Sequence, residues 1–369
     1  MNVDVAIIGA GIAGASLAAE LAPHVSVLLI EAEAQAGMHS TGRSAAFWSE
    51  TYGGPLVQPL TAASGRALAS PDPGFSERGF LSRRGELHLA GPGREGVLDG
   101  LQAGFAGAVA LERVEGEALA RLVPGLRPGW RHALWEPGCA DIDVAGLHAA
   151  YLRAGRRAGA RLLCEAPLRA ARRVGDAWRL ACGSHEVGAA TLVNAGGGWA
   201  DHVAALAGAR PLGIQPYRRT VAQLRVDPPT PARLPLIMDA DGRFYCKGEG
   251  EGRVWLSPHD ETPCEPGDVA AEEWDVAVAI DRLQQAVAWR VLRVERAWAG
   301  LRSFAPDRLP VYGWDRDMPG FFWCAGQGGF GIQTAPAAAK LAVALLLERE
   351  PEAMVAGVDP TPYLATRFG

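Results

Sequence analysis

The chain opens on a run of apolar positions, Val3 to Ile8 broken only by Asp4. It stops at Gly9-Ala10-Gly11-Ile12-Ala13-Gly14 and resumes as an Ala/Leu-rich stretch from Ala15 to Leu21. A short apolar run bounded by glycine predicts a strand buried on both faces, and the stretch beyond the glycines has the composition of a helix. A second apolar run, Val25 to Ile30, predicts another buried strand that ends at Glu31. Further on, Val144, Leu147, Tyr151 and Leu152 fall at helical spacing behind Asp141 and Asp143, either of which is placed to cap the helix. Short strands are expected at 161–163, 168–174, 178–182 and 191–193, the last entering Asn194-Ala195-Gly196-Gly197-Gly198-Trp199. From about Leu212 to Arg302 the texture changes to alternating strand candidates at 221–226, 243–247 and 254–256, with one helix near 270–288. Phe321 to Thr334 repeats the strand-to-glycine-turn pattern a third time, before a helix that runs toward Leu347.

This order predicts an α/β fold: a Rossmann-like dinucleotide-binding domain with an inserted substrate domain of mainly antiparallel β-sheet plus helices. Residues 1–80, 141–210 and 301–369 are assigned to the first, and 81–140 and 211–300 to the second. The glycines at 9, 11 and 14 permit a tight turn, a close approach of backbone to a pyrophosphate and close helix-to-strand contact. The helix start offers free N–H groups and the positive end of its dipole. Glu31 stands 20 positions beyond Gly11, where an acid accepts hydrogen bonds from an adenosine ribose and disfavours a 2′-phosphate, so NAD or FAD is expected rather than NADP. Three glycine turns suggest one extended ligand.

The 369 residues are 49% hydrophobic and 21% charged with a net charge of -5, which excludes a disordered chain and argues against nucleic acid as partner, since duplex binding needs clustered cations. The six cysteines form no C-x-x-C pair and no zinc pattern, which fits free thiols in a reducing compartment. No stretch reaches the roughly 20 apolar residues a bilayer span requires. The expected setting is the cytoplasm, with peripheral attachment at an inner membrane as the variant, and a monomer or weak oligomer is expected.

Several further segments carry more specific information: His39 to Ala46 (HSTGRSAA), Leu81-Ser82 followed by Glu86, Ala140-Asp141-Ile142-Asp143, Arg218-Arg219, Ala299 to Phe304 (AGLRSF) and Gly331-Ile332-Gln333-Thr334. Together they resemble the flavoprotein amine and amino-acid oxidoreductases of the D-amino acid oxidase superfamily, over essentially the whole chain. The pattern is most similar to that of the bacterial D-arginine dehydrogenases. The resemblance implies FAD, and since no cysteine stands in Gly300-Leu301-Arg302, where tethered members carry one, the FAD is expected to be noncovalent. Its expected contacts are Gly9, Gly11, Ile12, Ala13, Gly14 and Glu31 in the first turn, and Ser40, Thr41, Arg43, Ser44 and Ala45 in the polar segment. Ala195, Gly196, Gly197 and Trp199 follow in the second turn, and Gly328, Gly329, Phe330, Gly331, Ile332 and Gln333 in the third, with Arg302 beside them.

The resemblance also implies oxidation of an amino acid at its α-carbon, giving an imino acid that water hydrolyses to an oxo acid and ammonia. Arg219 and Arg302 match positions near the substrate carboxylate, where a guanidinium fork suits it. Each could equally be a structural arginine paired with an acid such as Asp307. Tyr52 and Tyr245 match phenols that line and close the pocket; Gly53 and Gly54 would let a loop bearing Tyr52 open and close. The Gly300 carbonyl is a candidate acceptor for the substrate amine, and Gln333 a candidate hydrogen-bond partner of flavin or substrate, while Thr334 could be no more than a cap. Glu86 matches the acid that meets a substrate guanidinium, against the plainer reading of a surface partner for Arg83 and Arg84. Phe47 departs from the resemblance, which has His there, and could shift preference toward apolar or aromatic D-amino acids. His39, His148 and His259 are assigned structural or surface roles. The alternatives are an oxidoreductase of the same fold acting on a secondary amine or 2-hydroxy acid and, from another class, a flavin-binding module without turnover. The electron acceptor, whether oxygen, a quinone or a protein, is left open.

Overall fold

The structure, a computed structural model, describes residues 1–231 and 233–368. Its centre is a run of five parallel strands in the spatial order Arg161–Leu163, Val27–Ile30, Asn2–Ile8, His185–Asn194 and Phe321–Ala325. Chain order reverses on either side of Asn2–Ile8, the arrangement that leaves a crevice at the carboxyl ends of the strands. Strands Leu168–Val174 and Ala177–Cys182 extend one edge as an antiparallel ribbon, and Val311–Trp314 pairs with Phe321–Ala325. The expected strand at 191–193 is the second half of a ten-residue strand whose first half pairs with that ribbon, which explains why only its apolar end stood out.

Helices cover both faces. Ile12–Leu21 packs between Val144–Arg157 and Gly331–Leu346 on one face, while Ala200–Ala207 covers the other. Gly14 explains how closely the first helix sits: a Cβ there would lie 1.9 Å from the Gly9 carbonyl oxygen. Asp143 is the cap of its helix, accepting from Gly146 N–H at 2.9 Å, whereas Asp141 pairs with Arg84 and Lys247.

A ten-stranded, mainly antiparallel sheet holds strands drawn from 86–136 and 215–304 together with Gln327–Gly328 from the third glycine turn, with Glu273–Ala286 packed against it. Its longest member, Arg290–Phe304, pairs along most of its length with Gln215–Asp227. That strand has no sequence signal of alternation, because its first half carries Arg290, Arg293, Glu295 and Arg296 at an exposed edge and its last six residues are buried whatever their parity. A small sheet of Phe47–Trp48, Ala140–Ile142 and Leu81–Arg83 joins the two large ones. No helix among the described residues is long and apolar enough to cross a membrane.

Candidate active site

All three glycine turns leave the carboxyl ends of parallel strands and meet in one cleft, which encloses about 880 Å³ of empty space including the part open to solvent. Gly9, Gly11, Ile12, Ala13 and Glu31 line it from the first turn and Ala195, Gly196, Gly197 and Trp199 from the second. Gly328, Gly329, Gly331 and Ile332 line it from the third, with Ser40, Thr41 and Ser44 alongside. Backbone proximity is obligatory here: a Cβ on Gly9, whose φ is +101°, would lie 2.3 Å from the Ala195 carbonyl. Glu31 faces the turn as a carboxylate acceptor, taking Ala10 N–H at 2.9 Å and Glu33 N–H at 3.1 Å. The Thr41 hydroxyl accepts from Ile12 N–H at the helix start.

Two polar atoms in this wall have no partner among the described residues. His39 Nδ1 and Ser303 Oγ are both buried, and both residues line the cleft. The other ring nitrogen of His39 meets Glu33 at 2.9 Å, and the ring packs edge-on to Trp199, so its orientation is fixed. Buried polar groups are normally satisfied, and an extended ligand rich in hydroxyl and phosphate groups would satisfy these two.

A second, smaller chamber of about 330 Å³ abuts the cleft and shares Ser44, Arg302, Gly329 and Ile332 with it. It brings together Phe47, Tyr52, Arg219, Tyr245, Arg302 and Gln333, with Ala45 in its wall. Strand pairing accounts for the arginines: Tyr217 stands opposite Arg302, and Arg219 opposite Gly300, so the two guanidiniums come from the same region of adjacent strands. They are held differently. Arg219 donates to the Asp260 carbonyl (2.8 Å), the Tyr52 hydroxyl (3.2 Å) and Glu261 (3.0 Å). Burial works against its charge, but Tyr52, Tyr245 and Glu261 outweigh that and hold its pKa above the ordinary value. Arg302 is 6% exposed and has no carboxylate partner among the described residues; its one hydrogen bond runs to the neighbouring Leu301 carbonyl at 2.9 Å. Burial and the like charge of Arg219 push its pKa down. Asp307 belongs to neither arginine, being paired with Arg367.

Phe47, Tyr52 and Tyr245 meet edge to face, with centroids 5.1 and 5.6 Å apart, and Tyr52 also lines a third pocket on the far side of this aromatic wall. Glu86 lies in that pocket's floor, 0% exposed, with neither carboxylate oxygen hydrogen-bonded, so it is no surface partner of Arg83 or Arg84.

Other expected residues stand off these walls or, in the case of Gln333, line the chamber with the side chain already engaged. Gly14 acts in helix packing, as above. Arg43 turns away from the cleft, donating to the Met38 carbonyl and pairing with Asp268 at 2.9 Å. Phe330 packs with Val57 and Phe304. Gly300 lines neither chamber; a Cβ there would lie 2.6 Å from Cβ of Arg43, so the glycine permits a close crossing of two chain segments. Gln333 is committed to the protein: its amide donates to Tyr52 O and Thr61 Oγ1 and accepts from Ser49 N–H. Thr334 bonds back to the Phe330 carbonyl within its helix. Three histidines, conversely, are nearer the site than their sequence context suggests. His148 meets the Ala10 carbonyl at 2.8 Å, and burial lowers its pKa. His259 touches the rings of Tyr52 and Tyr245, and burial and nearby arginines push its pKa down to about 3. Its φ of +53°, uncommon outside glycine, has no signature in a bare sequence.

Fold, cleft and adjoining chamber define a dinucleotide-dependent oxidoreductase. The DAO family, FAD dependent oxidoreductases, matches residues 4–345, and the chain belongs to it. A glycine oxidase of Pseudomonas aeruginosa is 28% identical, with 98% of each chain covered. The bovine FAD-dependent oxidoreductase domain-containing protein 1 is 27% identical over 195 residues, 48% of this chain and 39% of that protein, so the match spans about two fifths of that relative. The crystal structure of glycine oxidase from Geobacillus kaustophilus superposes with a TM-score of 0.85 at 23% identity over 99% of both chains. The cofactor is therefore FAD, held noncovalently. The residues fit it: glycine backbone for a pyrophosphate, Glu31 for a ribose, and His39 Nδ1 and Ser303 Oγ as waiting polar groups. None of the six free cysteines lines the cleft.

Proposed function

We propose that the protein oxidises D-amino acids at the α-carbon, with basic ones such as D-arginine the first to test. The observation that carries this reading is the convergence of Arg219, Arg302, Tyr52 and Tyr245 in a chamber that shares a wall with the FAD cleft. Arg302 binds the substrate carboxylate, which supplies the counter-charge it lacks, and Arg219 with Tyr52 completes the clasp. Bound FAD supplies the acceptor for the hydride of the α-carbon. The protein orients that C–H bond and keeps water out with Ala45, Ala46, Phe47 and Ile332. The amine enters neutral, and the released imino acid is hydrolysed by water; the Gly300 carbonyl, which resemblance offers as the amine's acceptor, lines neither chamber. Glu86 then reads the end of the side chain beyond the Tyr52 wall. Two sheets support a division into an FAD part (1–80, 141–210, 301–369) and a substrate part (81–140, 211–300).

A second reading, oxidation of glycine, sarcosine, proline or a 2-hydroxy acid, is favoured by the small chamber and the apolar Phe47, and by the glycine oxidase relative. Anaerobic bleaching of the flavin with paired D and L amino acids, set beside that panel, decides between them. Bleaching by D-arginine or D-lysine and not by their L forms is expected. Bleaching only by glycine or sarcosine would replace the reading with the second one. Admission of air, a quinone or an acceptor protein afterwards identifies the oxidant of the flavin.

A further inference from the structure

Glu86 and Glu136 face each other directly across the antiparallel strands Glu86–Ala90 and His132–Glu136, and His88 lies on the same face two residues along. The three are 0%, 1% and 5% exposed respectively. Like charges directly opposite one another destabilise a strand pair, the more so in a dry interior. His88 stands between the two acids, with Nδ1 3.8 Å from Glu86 Oε1 and Nε2 3.6 Å from Glu136 Oε2. One ligand atom from each of the three lies within 4.8 Å of the others, close enough to hold a metal ion, but each ring nitrogen of His88 turns to a different carboxylate, the arrangement of groups that share protons.

Its two ends are unequal. Glu136 accepts from Glu50 N–H (2.7 Å), the Thr51 hydroxyl (2.6 Å) and the Ser49 hydroxyl (3.3 Å), and Thr51 also reaches His88 Nε2 at 3.1 Å. Glu86 has no such support among the described residues: Ser49 and Cys139 stand beside it without reaching hydrogen-bonding geometry, and it lines the third pocket.

We propose that His88, anchored by Glu136 and Thr51, is a positioning residue that favours the ionised form of Glu86, and that the protein's preference for cationic over neutral side chains is switched by proton loss from this triad. The inference rests on the reading of Glu86 as the acid facing the substrate side chain. Burial raises Glu86 to about 7, His88 pulling against that and Glu136 adding to it. Burial also opposes the His88 charge, but the two carboxylates outweigh it and raise its pKa. At Glu136 burial is overcome by His88 and Thr51, which hold it below the ordinary range. On the acid side of neutrality the triad is uncharged overall; past it, the triad carries one negative charge that a cationic side chain neutralises. The surrounding groups do not compete. Cys139 is kept a thiol by burial, His259 is neutral, Asp239 is paired with Arg243, and Glu261 with Arg219 and Arg308. Glu50, bonded by Gln58, is raised by its burial but faces Glu136 from the other side of the loop.

The test compares kcat/KM for D-arginine and D-methionine in the flavin-loaded wild type, His88→Gln, Thr51→Val and Glu86→Gln from pH 5.5 to 9. The wild-type ratio should rise about tenfold or more with a midpoint near 7, one pKa unit corresponding to about a factor of ten. His88→Gln and, more mildly, Thr51→Val should move the midpoint upward, and Glu86→Gln should flatten the profile. A flat wild-type ratio, or a midpoint indifferent to both His88→Gln and Thr51→Val, overturns the proposal; should His88→Gln fail to fold, wild type and Thr51→Val decide. Failure of the D-amino-acid reading looks different: neither D-arginine nor D-methionine bleaches the flavin. The triad is then read without turnover, from the Tm difference between wild type and Glu86→Gln over the same pH range, and a difference constant through neutrality overturns it.

Discussion

Arg302→Met should change two properties in opposite directions. In the free protein the Arg302 guanidinium is buried beside another guanidinium and uses one of its five N–H donors, on its own neighbour's carbonyl. Its desolvation is therefore borne by the fold and recovered only when an anion arrives. Removing one partner of such a desolvated pair costs about 2 to 5 kcal/mol, or roughly 30-fold to several-thousand-fold in affinity. Propionate titrated against the visible spectrum of the bound flavin should weaken by that factor, and the neutral propionamide should hardly change. The same substitution should leave Tm at or above wild type, since a lone buried charge has been removed. Arg219→Met should lower stability by about 1 to 3 kcal/mol, because the Tyr52 hydroxyl and the Asp260 carbonyl lose their partner. Equal propionate binding in Arg302→Met, or a Tm loss as large as that of Arg219→Met, would refute the argument.

Gly14→Val should give protein that is insoluble or colourless, because the new Cβ would meet the Gly9 carbonyl; a soluble yellow variant would contradict the packing described. For stability against pH, Glu86 has a folded-state pKa raised from 4.5 to about 7, so the folded protein binds the extra proton between those values and stability falls as pH rises through that window. The fall is at most about 3 kcal/mol, and urea midpoints of Glu86→Gln should lack it. His39→Phe should raise the Kd for FAD about fivefold to tenfold, measured by quenching of flavin fluorescence, since it removes the unpartnered polar atom Nδ1 from the cleft wall. Burial lowers the His148 pKa, so any loss of FAD that follows its protonation should set in below the ordinary histidine range, as retention measured against pH would show.

The nucleotide half of the fold was legible where strands such as Asn2–Ile8 and Phe321–Ala325 are short, mostly apolar and followed by glycine, so that local composition and tertiary role coincide. The second sheet was harder. Glu86–Ala90 is wholly buried yet carries Glu86 and His88, so periodicity could not mark it as core. Arg290–Phe304 changes from exposed edge to interior halfway along. The site shows the same split: residues whose backbone does the work, such as Gly9 and Gly196, are visible as pattern, whereas the directions taken by Arg43 and Gln333 depend on Asp268, Tyr52 and Thr61, far away in the chain.

The backbone of residues 49–52 is fastened at several points, Ser49 and Tyr52 by Gln333 and Glu50 by Glu136. The freedom expected from Gly53 and Gly54 therefore stops short of the residue that closes the chamber. Passage past Tyr52 would then turn on rotation of its half-buried side chain, which must release Arg219, rather than on a swinging flap at microseconds to milliseconds. Turnover in such an enzyme would be insensitive to solvent viscosity, and its pace would be set by chemistry at the ring or by reoxidation.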